Sequence, residues 1–138
     1  MNEWNERNRQ VIEEFRTNGG QWGDRPLLLL TTTGAKSGKQ HTTPLMYLEE
    51  GTKLAIFASK GGEPTNPSWY HNLVANPTVT IEVGNERFET QASVVSPEER
   101  DRLYALQVER FPFFGDYQDK VTRRIPVVVF ERVTASQS

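Results

Sequence analysis

Apolar and polar positions divide the chain into short periodic segments separated by glycine, proline and asparagine. Between Asn2 and Asn18, the residues Trp4, Asn8, Val11, Ile12 and Phe15 recur on one side of a helical period with charges opposite. This predicts an amphipathic helix that Gly19–Gly20 ends. Pro26 to Thr32 is a short apolar run that reads as a strand buried on both faces, and Thr33 to Gln40 as a turn. His41 to Leu48 resumes an extended pattern, and Glu50–Gly51 turns it onto a third strand, Lys53 to Ala58. A Gly/Pro-rich loop, Ser59 to Asn66, precedes a helix whose start is marked by Asn66 as cap and Pro67 at its first position. Asn76–Pro77 stops that helix early.

Val79, Ile81 and Val83 then alternate with polar residues, Gly84–Asn85 signals a hairpin, and Phe88, Ala92 and Val94 alternate on the return. Ser96-Pro-Glu-Glu99 is a capping box opening a helix to about Arg110. Phe111 to Asp116 reads as an aromatic loop with a helical turn after it, and Ile125 to Glu131 as the last strand. The order is helix, three strands, helix, two strands, helix, strand. Consecutive hairpins imply an α+β fold with a mainly antiparallel sheet and flanking helices. About six strands of this length suit a small barrel or half-barrel. No linker or repeat divides residues 1–138, so a single domain is expected, with Thr134 to Ser138 as a frayed tail.

Composition narrows the chemistry. The 138 residues contain no cysteine and two histidines, which excludes disulfides, thiolate zinc sites and histidine-rich metal centres, so no metal is expected. A net charge of −2 argues against a nucleic-acid binder. No apolar run approaches the ~20 residues of a membrane span, and Met1 to Arg9 lacks the pattern of a secretory signal. The expectation is a cytoplasmic protein whose redox chemistry, if any, comes from an organic cofactor.

Two loops concentrate candidate chemistry. Thr31 to Lys39 (TTTGAKSGK) carries hydroxyls, two glycines and two lysines, suited to an anion, although it is one residue too short for a Walker A loop. Taken alone it also reads as a solvated hairpin turn. Ala58 to Asn72 (ASKGGEPTNPSWYHN) leads a second hydroxyl–lysine–glycine cluster into a helix N-terminus, where partial positive charge and N–H donors favour phosphate or carboxylate. Here Trp69 and Leu73, four apart, also read as core packing.

Leu29 to Lys39 with Thr43-Pro-Leu45, then Ala58 to Gly62 with Asn66 to Pro77, resemble the two signatures of the deazaflavin-dependent nitroreductase and quinone reductase family. Phe111 to Gln118 and Ile125 to Val129 match as well, so the resemblance runs from about Asn8 to Arg132. It implies a split β-barrel related to flavin-mononucleotide-binding oxidoreductases, coenzyme F420 as cofactor, and hydride transfer to a quinone, nitroaromatic or other activated acceptor. By resemblance, Lys36, Ser37 and Lys60, beside Ala35 and His41, hold the phosphate and glutamate tail. Thr42, Thr43, Pro44, Leu45 and Met46, with Phe57, Ala58 and Ser59, border the deazaflavin and its ribityl chain. Ser68, Trp69, Tyr70, His71 and Asn72 supply a helix N-terminus and an aromatic wall.

The chain departs from the family at Ala35, where a basic residue is frequent, and at His41, where arginine is usual. His41 implies a weaker or pH-sensitive anion contact, or a solvent-facing strand residue; His71 has no clear family role. Phe111, Phe114 and Tyr117 are the implied acceptor pocket, in which only Tyr117 keeps a hydroxyl, favouring a flat apolar acceptor. Ser59 and Tyr117 are the candidates for hydrogen bonds to the acceptor oxygen. The alternatives are a flavin-mononucleotide enzyme of the same fold and a non-catalytic cofactor or lipid carrier. Peripheral membrane contact through the first helix, and either a monomer or a homodimer, also remain open.

Overall fold

The structure, a computed structural model, describes residues 3–23 and 25–131, and the backbone alone for residues 3–7. The terminal tail and the Trp4 side chain lie outside the described residues.

Helix α1 (Glu3–Thr17) leads into β1 (Leu27–Thr33), whose apolar run is buried on both faces, as its sequence predicts. β1 pairs antiparallel with β2 (Gln40–Met46) and with β5 (Thr78–Val83), and β5 pairs with β6 (Glu86–Gln91). The first sheet therefore runs β2-β1-β5-β6. A second sheet, β3-β4-β8-β7, is built from Leu48–Glu50, Lys53–Phe57, Val127–Glu131 and Ser93–Val94. Every pairing is antiparallel. Leu28 and Leu30 of β1 share one buried cluster with Leu54, Ile56, Ile81, Val128 and Phe130, so the core lies between the two sheets. Each fully buried aliphatic side chain here contributes about 1.5–3 kcal/mol.

Eight strands are present rather than about six. The expected strand His41 to Leu48, and the expected return strand that carries Phe88, Ala92 and Val94, each divide between the sheets, at Tyr47 and at Ala92. The cause is a proline in each facing position. Tyr47 donates its N–H to the Pro26 carbonyl at 3.1 Å and Ala92 to that of Pro77 at 2.8 Å. Proline has no N–H with which to return either bond, so each ladder stops there. One residue later, Leu48 pairs with Ala55 and Ser93 with Val129 in the second sheet.

The outer face of the first sheet carries α1. Phe15 is buried, and Arg16 forks onto Glu82 of β5 at 2.8 and 3.0 Å, which raises the arginine pKa further. The outer face of the second sheet carries α3 (Pro97–Arg110) and α4 (Phe113–Asp119). Leu103, Tyr104 and Phe114 from these helices bury Leu48, Ala55, Phe57 and Val127. Half of the capping box forms: Ser96 Oγ accepts from the Glu99 N–H at 3.4 Å, while the Glu99 carboxylate is taken by Arg102 instead of reaching back to the cap.

Three expectations change. Helix α2 (Ser68–Ala75) has Pro67, not Asn66, as its capping position, because the Asn66 side chain accepts instead from Arg123. The aromatic segment is itself helical from Phe113, since Pro112 is at its cap. β8 begins at Val127 rather than Ile125, after Pro126, whose carbonyl takes the Ala58 N–H at 3.0 Å.

Gly20 closes α1 with φ +86°, and a Cβ there would sit 1.9 Å from the Gly84 carbonyl oxygen in the β5–β6 turn. Gly20→Ala should therefore cost about 2–4 kcal/mol in urea unfolding. Gly23→Ala, with φ +60° but nothing within 4 Å, should cost only about 1 kcal/mol.

Candidate functional site

β1 ends in three threonines, and the turn after it is tied down by α2. Asn72 uses both ends of its amide: Nδ2 donates to Thr32 Oγ1 at 3.3 Å, and Oδ1 accepts from the Ala35 N–H at 3.0 Å. Within the turn, Gly34 donates to the Lys39 carbonyl at 2.7 Å, and Ser37 Oγ accepts from the Lys39 N–H at 3.1 Å. A Cβ on Gly34 would fall 2.5 Å from Ser37 Oγ, so a side chain there would push that hydroxyl off the Lys39 N–H. The turn that carries Lys36 and Ser37 is thereby tied to α2.

The second loop follows β4. Ser59 is buried and its hydroxyl makes no cap bond to the 3-10 turn Lys60–Gly62. Lys60, Gly61 and Gly62 all have left-handed φ, of 48°, 63° and 85°. Lys60 is the non-glycine residue so placed among those described, an uncommon and costly geometry.

Between these loops opens a cleft of about 1470 Å³. Of the residues singled out in the sequence, Ala35, Lys36, Ser37, His41, Thr42, Thr43, Pro44, Leu45 and Met46 line it from β2 and its turn. Phe57, Ser59 and Lys60 line it from β4 and its loop, and Ser68, Trp69, His71 and Asn72 from α2. Phe114 and Tyr117 reach it from α4. Three do not come together with them. Ala58 is fully buried in the core, Tyr70 packs on that core, and Phe111 packs against the outer cluster, its ring 5.9 Å from that of Phe113.

The structure adds residues the sequence reading missed. Phe113 lines the cleft beside Tyr117, their ring centroids 5.6 Å apart. Reading 113–119 as helix would have paired these two at i, i+4. Asn8, Arg9 and Ile12 contribute a wall from α1, with Asn8 and Ile12 on the face the periodicity had marked. Arg25 stacks its guanidinium 5.5 Å from the Phe113 centroid; no sequence pattern pointed to it. Among the described residues, no aspartate or glutamate lines the cleft, whereas Arg9, Arg25, Lys36 and Lys60 do. No group of three or more histidines and carboxylates is placed to hold a metal, and no helix is long and apolar enough to cross a membrane, among the same residues.

Helix α4 is held in place from behind. Tyr104 donates its hydroxyl to the Phe114 carbonyl at 2.6 Å, and Phe57 meets both rings edge-on at 5.7 and 5.6 Å. Such aromatic pairs add about 0.5–1.5 kcal/mol each beyond area burial. Burial pushes the Tyr104 phenol up to about 12, and it also lowers the pKa of the half-buried Arg123 guanidinium.

A family model described as "F420H(2)-dependent quinone reductase" matches residues 4–132. An F420H(2)-dependent quinone reductase of Mycobacterium tuberculosis is 44% identical over 126 residues, covering 86% of this chain and 85% of the relative. The chain belongs to the F420H(2)-dependent quinone reductase family. As a member of it, the protein is an oxidoreductase that depends on reduced coenzyme F420. A solved F420-H2 dependent reductase is 48% identical, with a TM-score of 0.71 over 78% of this chain and 95% of that one. A second solved structure, described as a domain-swapped dimer, is 44% identical, with a TM-score of 0.73 over 92% and 96% of the two chains. The fold is shared more widely: a FAD-binding protein from Mesorhizobium loti is 14% identical, with a TM-score of 0.52 over 89% and 87%.

The Tyr104 shift gives a test of how this family member holds α4. A phenol pKa raised from 10.0 to about 12 contributes stability that is present below pH 10 and lost as pH rises through about 12. A tyrosinate absorbance titration should show one of the four tyrosines ionising near pH 12, a step absent in Tyr104→Phe.

Proposed function

We propose that the cleft brings the reduced deazaflavin and a quinone-type or nitroaromatic acceptor together, with the anionic tail of the cofactor at the lysine-bearing loops. The observation that carries this reading is the segregation of charge. The chain has 18 acidic residues and a net charge of −2, yet none of the described acidic residues lines the cleft, while four basic side chains do. That donor set fits a multiply anionic cofactor, because each charge-assisted hydrogen bond contributes about 1.5–3 kcal/mol. The volume also exceeds the roughly 300–1,000 Å³ of a single drug-sized pocket, leaving room for an acceptor beside a cofactor.

In this reading Lys36, Ser37 and Lys60, with His41 at the edge, hold phosphate and carboxylate groups. The first turn of α2 at Ser68 adds its partial positive charge. Thr42 to Met46 and Phe57 border the ring system, and Trp69 closes its end. When bound, reduced F420 supplies the hydride. The protein's residues orient, exclude water and stabilise charge. Ser59 Oγ and Tyr117 Oη donate to the acceptor oxygen as it becomes negative, and Tyr117 or solvent provides the proton. Phe113, Phe114 and Arg25 make the acceptor wall, flat and mostly apolar.

Two further features belong to the reading. Both edge strands of the first sheet continue into the second, at Tyr47 and Ala92, which supports a split β-barrel and a single domain. The description of one relative as a domain-swapped dimer supports a homodimer. Helix α1 serves as a cleft wall rather than a lipid contact, since Phe15 is buried and Ile12 faces the cleft.

Titrating the protein with F420 and with flavin mononucleotide tests the cofactor. F420 should bind and its reduced form be oxidised by menadione, whereas binding of flavin mononucleotide alone would overturn the assignment. Tyr117→Phe should lower kcat about tenfold while leaving F420 affinity near wild type. Unchanged turnover would remove Tyr117 from its role.

A further inference from the structure

Arg123 lies outside the cleft lining, in the segment between α4 and β8, yet it holds the loop that carries Ser59 and Lys60. Its guanidinium donates to the Ala58 carbonyl at 3.2 Å, the Ser59 carbonyl at 3.2 Å and the Glu63 carbonyl at 3.1 and 3.3 Å. It donates as well to the Asn66 side chain. These acceptors flank the left-handed residues Lys60 to Gly62 on both sides.

A strained backbone path persists only where its surroundings over-determine it. Within the loop, the Gly62 N–H bonds to the Ser59 carbonyl at 2.9 Å and the Glu63 N–H to the Lys60 carbonyl at 3.2 Å. Those local bonds are available to any such turn. What is particular here is one planar, always-charged fork reaching three carbonyls and an amide, which an ammonium could not span. The fork is itself anchored, because Gln118 donates to the Arg123 carbonyl at 2.8 Å and accepts from the Ile125 N–H at 3.0 Å.

The same segment ties the loop to the acceptor helix. A Cβ on Gly62 would lie 3.5 Å from Tyr117 Cα, so the turn rests directly against α4. We infer that Arg123 is a positioning residue for the cleft: it holds right-handed Ser59 and left-handed Lys60 in the loop path from which they reach the ligand, without touching the ligand itself. This rests on the assignment of Ser59 and Lys60 to the cofactor and acceptor.

The test uses the full-length protein as Arg123→Ala, Arg123→Lys and Asn66→Ala. In hydrogen exchange without ligand, Arg123→Ala should speed exchange at residues 60–63 while β4 and α2 keep wild-type protection. The F420 Kd should rise about 10- to 100-fold in Arg123→Ala. Arg123→Lys should recover only part of that, and Asn66→Ala should give a smaller rise. Millimolar guanidinium should restore binding in Arg123→Ala but not in Lys60→Ala, a rescue that a merely structural defect would not show. Wild-type affinity in a folded Arg123→Ala, or unchanged loop exchange, overturns the inference. If Arg123→Ala does not fold, unchanged loop exchange in Asn66→Ala overturns it. If wild type fails to bind F420, the cofactor assignment falls, and loop exchange alone then decides the positioning role.

Discussion

A proline cannot give back the hydrogen bond that an antiparallel partner offers it, and this constraint shapes the molecule at two places. Pro26 and Pro77 each accept one N–H from an outer strand and return none, so the first sheet ends at both edges. The outer strands bend at Tyr47 and Ala92 and complete their pairing in the second sheet. The core closes between the sheets because the same strands border both. β2 then turns the length of its chain from His41 to Met46 toward the cleft, opposite the end of β4.

Around that frame, charge is sorted by pairing. Glu82 is taken by Arg16, and Glu50 and Glu99 by Arg102, which holds both carboxyls below the usual carboxylate range. The exposed pairs of Arg102 contribute little to stability. They do keep acidic side chains away from the cleft, where Arg9, Arg25, Lys36 and Lys60 gather. The proposed binding of an anionic cofactor rests on that arrangement more than on any single lysine. It also explains why a mildly acidic protein can build a basic site.

The α4 side of the cleft depends on a different set of contacts. Phe57 ends β4 and stands edge-on to Tyr104 and Phe114, while the Tyr104 hydroxyl holds the α4 backbone at Phe114. The helix that presents Phe113 and Tyr117 is thus supported from the outer cluster, and Gly62 lets the 59–63 loop lie against it. Two regions far apart in sequence, 59–61 and 113–117, become one wall of the cleft.

By itself the sequence determined the local elements whose period or cap is written in consecutive residues: the buried run of β1, the Ser96 cap of α3, and the alternation of β5. It also specified the two glycine–lysine loops and the family they mark, because those motifs are contiguous. Only tertiary structure decided how many strands form, since the division at Tyr47 and Ala92 is imposed by prolines 21 and 15 residues away. It decided that Phe113 rather than Phe111 faces the cleft, that Ala58 and Tyr70 do not, and that α1 supplies a wall. It also directed Asn66 to Arg123 instead of the α2 terminus. Local propensity names a residue's candidates for partnership; which one it takes depends on long-range pairing, where backbone donors and acceptors from distant segments must all be satisfied at once.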